Sequence, residues 1–267
     1  WAWTEPAVWT DRMLMALEQG VKGGVWFSLI DKVWNPTTLR RAFERVRHNG
    51  GAAGVDHVTC EQFAEHLDIH IEWLTRALRA DRYVAQDVRR HWIPKPGRTE
   101  LRPLGIPTVR DRTVQTAVCS VIEPIFERDF AVHSYGFRPG RGCKDALRRV
   151  ATLLATGSTW VVDADLRKYF DTIPHDRLMA RIRRRIADGR VLALLESWLK
   201  QGIMDGLAHW TPEAGTPQGA VISPLLANIY LDPLDHHMAA SHLEMVRYAD
   251  DFVILCRTEA EAHRALA

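Results

Sequence analysis

Two adjacent carboxylates, Asp250 and Asp251, interrupt a run that is otherwise apolar: Met245-Val246 lie upstream of Arg247-Tyr248-Ala249, and Phe252-Val253-Ile254-Leu255 follow. Short apolar stretches on either side of such a break read as a strand pair, where neighbouring like charges repel and partial dehydration adds to the cost. The simplest account is a hairpin in which Asp250 only supplies turn chemistry. A second acidic strand shifts the weight. In Trp160-Val161-Val162-Asp163-Ala164-Asp165-Leu166 the alternation sends Asp163 and Asp165 to one face and Val162, Ala164 and Leu166 to the other. Two strands can thus pool their carboxylates. Two divalent ions roughly 4 Å apart, held this way, activate an attacking oxygen and stabilise a leaving pyrophosphate. Mg²⁺ takes few carboxylates together with substrate phosphate oxygens. Asp165, Asp250 and Asp251 offer such a set with no His or Cys, which points to phosphoryl or nucleotidyl transfer.

At 267 residues, 46% hydrophobic and 25% charged, the chain can bury a sizeable core as one large domain or two closely joined ones. No run approaches the roughly 18 apolar residues of a membrane span, and no basic-then-apolar leader is evident, so a soluble, cytoplasmic protein without a membrane partner is expected. Cys60, Cys119, Cys143 and Cys256 are isolated and read as reduced thiols. The net charge of +2 hides an uneven distribution. Basic residues dominate from Arg76 to Arg112, cluster again from Arg138 to Arg149, and recur from Arg177 to Arg190, where Leu178, Ile182 and Ile186 mark the opposite face of a helix. Any one of these arginines is explained by a solvated helix face. Three clusters interleaved with Trp73, Tyr83, Trp92 and Tyr135 favour a nucleic-acid partner.

Along the chain, Asn35-Pro36 starts a helix with the stripe Leu39, Ala42, Phe43 and Val46, which stops at Asn49-Gly50-Gly51. Periodicity predicts a second helix over Glu61 to Arg79. Val88 to Pro94 reads as extended, with Lys95-Pro96-Gly97-Arg98 as a tight basic turn between strands. A long helix follows over Arg112 to Phe130, then a loop at Tyr135 to Gly140. Gly215-Thr216-Pro217-Gln218-Gly219 is a loop opening an apolar helix, Val221 to Leu231, whose amides could meet phosphate or base edges.

In order, these pieces resemble the reverse transcriptases of the group II intron type over nearly the whole chain. The matching blocks are Gly50-Gly51-Ala52-Ala53-Gly54-Val55-Asp56, Ile93-Pro94-Lys95-Pro96-Gly97, Arg102 to Arg112, Tyr135 to Pro139, Asp165-Leu166 with Tyr169-Phe170-Asp171, Thr216 to Gly219 with Ser223 to Asn228, and Tyr248 to Asp251. His57 and Ala220 stand where glycine is commoner. The resemblance implies an α+β fold, the fingers and palm of a right-hand polymerase with an antiparallel palm sheet packed on helices. It divides the chain into a helical extension and start of the fingers (1–80), fingers (81–155) and palm (156–267). It implies RNA-directed DNA synthesis with two Mg²⁺ ions, for which Mn²⁺ can substitute. Asp165, Asp250 and Asp251 would be catalytic and hold the metal with the Leu166 carbonyl. Lys95 and Arg102 would neutralise the triphosphate, Phe170 would exclude a ribose 2′-hydroxyl, and Gln218 and Gly219 would lie under the nascent pair. Arg110, Arg112, Arg138 and Tyr248 would meet template and primer. The partners implied are an RNA template, a DNA primer, deoxynucleoside triphosphates and structured intron RNA.

Relatives continue beyond this point into a thumb and a maturase region, so the chain reads as a fragment of a longer protein. Two other readings stay open: a CRISPR-linked or other bacterial reverse transcriptase with the same chemistry, and a maturase module that binds RNA without polymerising. The oligomeric state is not legible.

Overall fold

The structure is a computed structural model that describes residues 1–94, 97 and 99–266. Its elements, in chain order, are α1 (Asp11–Gln19), α2 (Ile30–Val33), α3 (Pro36–Asn49), α4 (Cys60–Glu65), α5 (Leu67–Arg79), β1 (Val88–Pro94), β2 (Leu101–Ile106), α6 (Val109–Glu127), α7 (Cys143–Ala155), β3 (Trp160–Asp165), α8 (Tyr169–Thr172), α9 (His175–Arg183), α10 (Gly189–Leu199), β4 (Ile203–Asp205), β5 (Ala208–Trp210), α11 (Ser223–Ala240), β6 (Glu244–Tyr248), β7 (Asp251–Cys256) and α12 (Glu259–Leu266). This is the expected α+β architecture. The chain forms two compact units that interleave in sequence, whereas the resemblance drew three consecutive segments: residues 1–125 with 170–223, and residues 126–169 with 224–267. Among the described residues no helix is long and apolar enough to cross a membrane.

In the first unit α3 starts as expected. The Asn35 side chain accepts from the Thr37 amide, Pro36 occupies the first turn, and the buried stripe is Leu39, Ala42, Phe43 and Val46. The second helix differs from the expectation, because it is split at His66, whose φ of −121° and ψ of 31° leave the helical range. A reciprocal capping box between Thr59 and Gln62 starts α4, and the chain restarts as α5. Phe63 of α4 then meets Phe43 with ring centroids 5.0 Å apart, while α5 buries Ile71, Leu74 and Leu78. Burial of these apolar positions outweighs the continuity that periodicity alone suggests.

The basic helix expected up to Arg190 also stops early, at Arg183. Asp188 is the reason. One of its carboxylate oxygens accepts from the Arg190 and Val191 amides at the start of α10, and the other from Leu29 and Ile30 at the start of α2. A single carboxylate therefore satisfies amides at two helix starts. Two arginines of that cluster are tied internally: Arg183 pairs with Glu196, and Arg190 lies 4.8 Å from the Trp34 ring and donates to the Leu78 carbonyl. The sheet of this unit runs β2-β1-β4-β5, with β1–β2 and β4–β5 antiparallel and β1–β4 parallel.

The second unit is built on the antiparallel sheet β3-β7-β6. Its register assigns every side chain to a face. Val246, Val253 and Leu255 share one face and pack with Ala146, Val150 and Leu153 of α7. Val162, Met245, Ile254 and Cys256 share the other and pack with Leu234 and Met238 of α11 and Ala262 and Ala265 of α12. Both faces being covered is what lets β6 and β7 read as almost unbroken apolar runs.

Candidate active site

Where the α7 face of this sheet ends, the apolar row gives way to acids. The ladder places Asp163 opposite Val253 and Asp165 directly opposite Asp251, with Tyr248 on the far side of Asp251. Asp165, Tyr248 and Asp251 thus form a row across three strands, on the same face, and all three are exposed. Asp250 sits in the two-residue turn between β6 and β7, and Ala249 before it has a φ of +61°. A positive φ at the first turn position is the two-residue hairpin geometry that glycine normally fills, and an alanine there costs roughly 1–3 kcal/mol. Packing holds it. A Cβ placed on Gly136 would stand 2.2 Å from the Ala249 amide nitrogen, so the chain at Gly136 lies directly against the turn.

Arg247, the residue on the opposite face of β6 from Tyr248, is fully buried. Its guanidinium donates to both Asp235 carboxylate oxygens, to Asn228 Oδ1 (3.0 Å), to Ser134 Oγ (2.7 Å) and to the Ala249 carbonyl (2.7 Å). Tyr169 lies near this charge network, and burial drives its phenol well above the usual range, so it acts as a neutral donor to the Ala227 carbonyl at 2.7 Å. The Leu166 carbonyl accepts from the Tyr169 amide at 3.1 Å.

The donor chemistry of Asp165, Asp250 and Asp251 is all oxygen, at an exposed sheet end. Among the described residues no group of three or more Asp, Glu, His or Cys side chains is placed to hold a metal ion. Three carboxylates nonetheless offer the all-oxygen donors that a hard cation such as Mg²⁺ takes.

In the first unit the structure joins motifs that are far apart in sequence. The Gly105 amide donates to the Gln218 carbonyl, the Thr216 amide to the Phe170 carbonyl (2.7 Å), and Gly215 to Ile173 (2.8 Å). Gln218 Nε2 donates to Asp171 Oδ1 at 3.1 Å. Gly219, at φ +100°, lies so close to β2 that a Cβ would meet the Gly105 carbonyl oxygen at 2.6 Å. A pocket of about 280 Å³ opens beside this loop, lined among others by Arg90, Asp171, Trp210, Thr216 and Gln218. Arg90 lies between the rings of Trp92 (5.5 Å) and Trp210 (5.2 Å). The register puts Arg90, Trp92, Pro103, Gly105 and Trp210 on one face of the sheet and Arg102, Leu104 and His91 on the other.

Arg102 is paired with Ile93 in the β1–β2 ladder, and its exposed side chain has no hydrogen bond or ion pair to another described residue; Lys95 lies outside the described residues. The other arginines expected to meet template or primer are engaged by the protein itself. Arg112 is buried and donates to the Gly50 and Ala52 carbonyls. Arg138 is buried, forks onto Glu127 and donates to the Ala131 and Ser134 carbonyls. Arg110 donates to the Val84 carbonyl and lies over Trp73 and Tyr83. Sequence reasoning missed Asp235, because the apolar helix expected to end at Leu231 runs on to Ala240; Asn228 stands in a matching block, but nothing in the sequence signals its contact with a buried arginine. It also missed Trp210, whose short strand carries no alternation.

Residues 93–267 match the family model described as reverse transcriptase (RNA-dependent DNA polymerase). The chain is 37% identical over 249 residues to Protein YkfC of Escherichia coli (strain K12), covering 91% of this chain and 61% of that protein. It is 37% identical over 196 residues to Group II intron-encoded protein LtrA of Lactococcus lactis subsp. cremoris, covering 73% of this chain and 32% of that one. Among solved structures it is similar to a chain of a partial Cas6-RT-Cas1–Cas2 complex, with a TM-score of 0.56 and 26% identity over 89% of this chain and 40% of that one. The chain therefore spans between a third and three-fifths of these curated relatives. With the acidic row on its antiparallel sheet and this match, the chain belongs to the reverse transcriptase family.

Proposed function

We propose that the chain is the part of an RNA-directed DNA polymerase in which a primer 3′-hydroxyl attacks the α-phosphate of a deoxynucleoside triphosphate. The observation that carries this reading is the cross-strand row of Asp165 and Asp251, with Asp250 in the adjoining turn. Asp165 and Asp250, assisted by the Leu166 carbonyl, would hold two Mg²⁺ ions. When bound, such ions lower the pKa of the attacking hydroxyl and neutralise charge on the leaving pyrophosphate. Asp251 adds negative charge beside them. Arg102, with Lys95, meets the triphosphate; its guanidinium has no competing partner among the described residues. Phe170 restricts the sugar to the deoxy form, and Gln218 and Gly219, fixed against β2 and Asp171, support the nascent pair. Tyr248, beside Asp251, contacts the primer end, while Arg110 adds positive charge on the template side. Arg112 and Arg138 serve that binding indirectly, by holding the loops they bond to.

The proposed partners are an RNA template, a DNA primer and structured intron RNA, and the proposed location is the cytoplasm. The likeness to the Cas6-RT-Cas1 chain supports a second reading, in which the same chemistry serves a CRISPR-linked system. Extension of a DNA primer on an RNA template with each deoxynucleotide, with and without chelator, tests the reaction. Chelator-sensitive incorporation supports it; RNA binding with no incorporation would instead favour a maturase module.

A further inference from the structure

We infer that Arg247 and Asp235 are positioning residues for Asp250, acting through the Ala249 carbonyl. This rests on the polymerase reading for its consequence in catalysis, but not for its geometry. The strained step of the acidic hairpin is Ala249, at φ +61°. Its carbonyl belongs to the peptide that leads into Asp250, and that carbonyl receives Arg247 Nη1 at 2.7 Å. The guanidinium is in turn fixed on every side. Asp235 accepts from Nε and Nη2, Asn228 Oδ1 accepts from Nη1 at 3.0 Å, and Ser134 Oγ lies 2.7 Å from Nη2.

The anchors extend to the segment behind the turn. Asn228 Nδ2 donates to the Gly136 carbonyl at 2.9 Å, and Gly136 is the residue pressed against Ala249. The Arg247 backbone closes the frame, with its amide donating to the His133 carbonyl (3.0 Å) and its carbonyl accepting from Tyr135 (2.9 Å). Arg247, Asn228, Ser134 and Asp235 are all buried. A buried ion pair is weak evidence for stability, since its desolvation offsets its attraction; its better attested use is to select one geometry among several. Here that geometry is the orientation of one peptide plane. Only a planar fork with several fixed donors reaches the carboxylate, the amide, the hydroxyl and the backbone carbonyl together, so lysine cannot replace it without losing contacts.

The test uses Arg247→Lys, which keeps the charge beside Asp235, and Asn228→Ala, which leaves the ion pair intact. Removing either charged partner outright strands the other and is expected to unfold the unit. Mn²⁺ binding is followed by electron paramagnetic resonance and primer extension by single-turnover kinetics, at matched folded fraction judged by circular dichroism. In both variants Mn²⁺ affinity is expected to fall about tenfold. The maximal extension rate is expected to fall about 10- to 100-fold, as for misplacement on the scale of an ångström, while KM for the deoxynucleotide stays within about twofold. Parent-like Mn²⁺ affinity in folded Arg247→Lys would overturn the inference. A parent that binds Mn²⁺ but never extends a primer would overturn the polymerase reading alone, since the change in Mn²⁺ affinity would still be measurable.

Discussion

Asp165 and Asp251 stand directly opposite each other in the β3–β7 ladder, both exposed at its acidic end. Like charges at such a position destabilise a sheet by roughly 0.2–1 kcal/mol. Asp251→Asn is therefore expected to raise the urea midpoint slightly in chelator. Added Mg²⁺ should stabilise the parent more than the variant, because a ligand that binds only the folded chain adds stability in proportion to its affinity. Equal gains from Mg²⁺ in both would remove Asp251 from the cation's neighbourhood.

Gly136 has no room for a side chain. A Cβ there would meet the Ala249 amide nitrogen at 2.2 Å, against backbone that cannot swing aside. Gly136→Ala is expected to cost about 1–3 kcal/mol, as overpacking does, and to lower primer extension by more than the lost folded fraction explains. Urea titration beside extension kinetics separates the two effects; a variant with parent-like stability and rate would show that the turn tolerates displacement.

Phe170 is assigned the exclusion of a ribose 2′-hydroxyl. Phe170→Ala should narrow the preference for deoxynucleotides over ribonucleotides by about 10- to 100-fold, the range a pocket defined by shape can supply. Competing incorporation of the two sugars measures this directly. An unchanged ratio would leave Phe170 a core aromatic.

Arg90, between Trp92 and Trp210, offers aromatic faces and a guanidinium to an unpaired base. Trp210→Ala is expected to weaken binding of a single-stranded oligoribonucleotide by about 1–3 kcal/mol, with a duplex affected less. Fluorescence anisotropy with both probes would show it, and equal losses for the two would argue for a general packing role.

Two histidines make stability depend on pH. Burial, with Arg149 nearby, lowers the His133 pKa, and burial, with His66 nearby, lowers that of His70. As pH falls, the unfolded chain takes up these protons first, near the ordinary imidazole value of about 6.5. Stability is thus expected to decline below that pH and to level off once the folded pKa values are passed. Urea midpoints between pH 7.5 and 5.5 should show this slope, and His133→Gln with His70→Gln should flatten it; an unchanged slope would place its origin in other groups.

The elements that periodicity describes well are those whose buried face is continuous. The stripe from Leu39 to Val46 and the alternation around Asp163 and Asp165 emerge in the structure as read. The break at His66 and the cap at Asp188 were not legible, because each depends on a partner distant in sequence: α3 for the first, Leu29 and Ile30 for the second. The same reason separates the visible from the hidden parts of the site. Asp165, Asp250 and Asp251 announce themselves as charges in apolar strands. Arg112 and Arg138 look equally available in sequence, yet folding turns them onto carbonyls and Glu127, and Asp235 becomes meaningful only through Arg247.

The most direct measurement is Mg²⁺-dependent extension of a DNA primer on an RNA template by the parent and by the Asp250→Ala, Asp251→Ala double variant, with folding of both verified. The expected result is incorporation by the parent and a loss of at least about 10³-fold in the variant, as befits groups that act on the reacting atoms. A folded variant that extends the primer as fast as the parent would contradict the assignment of the acidic row as the catalytic centre.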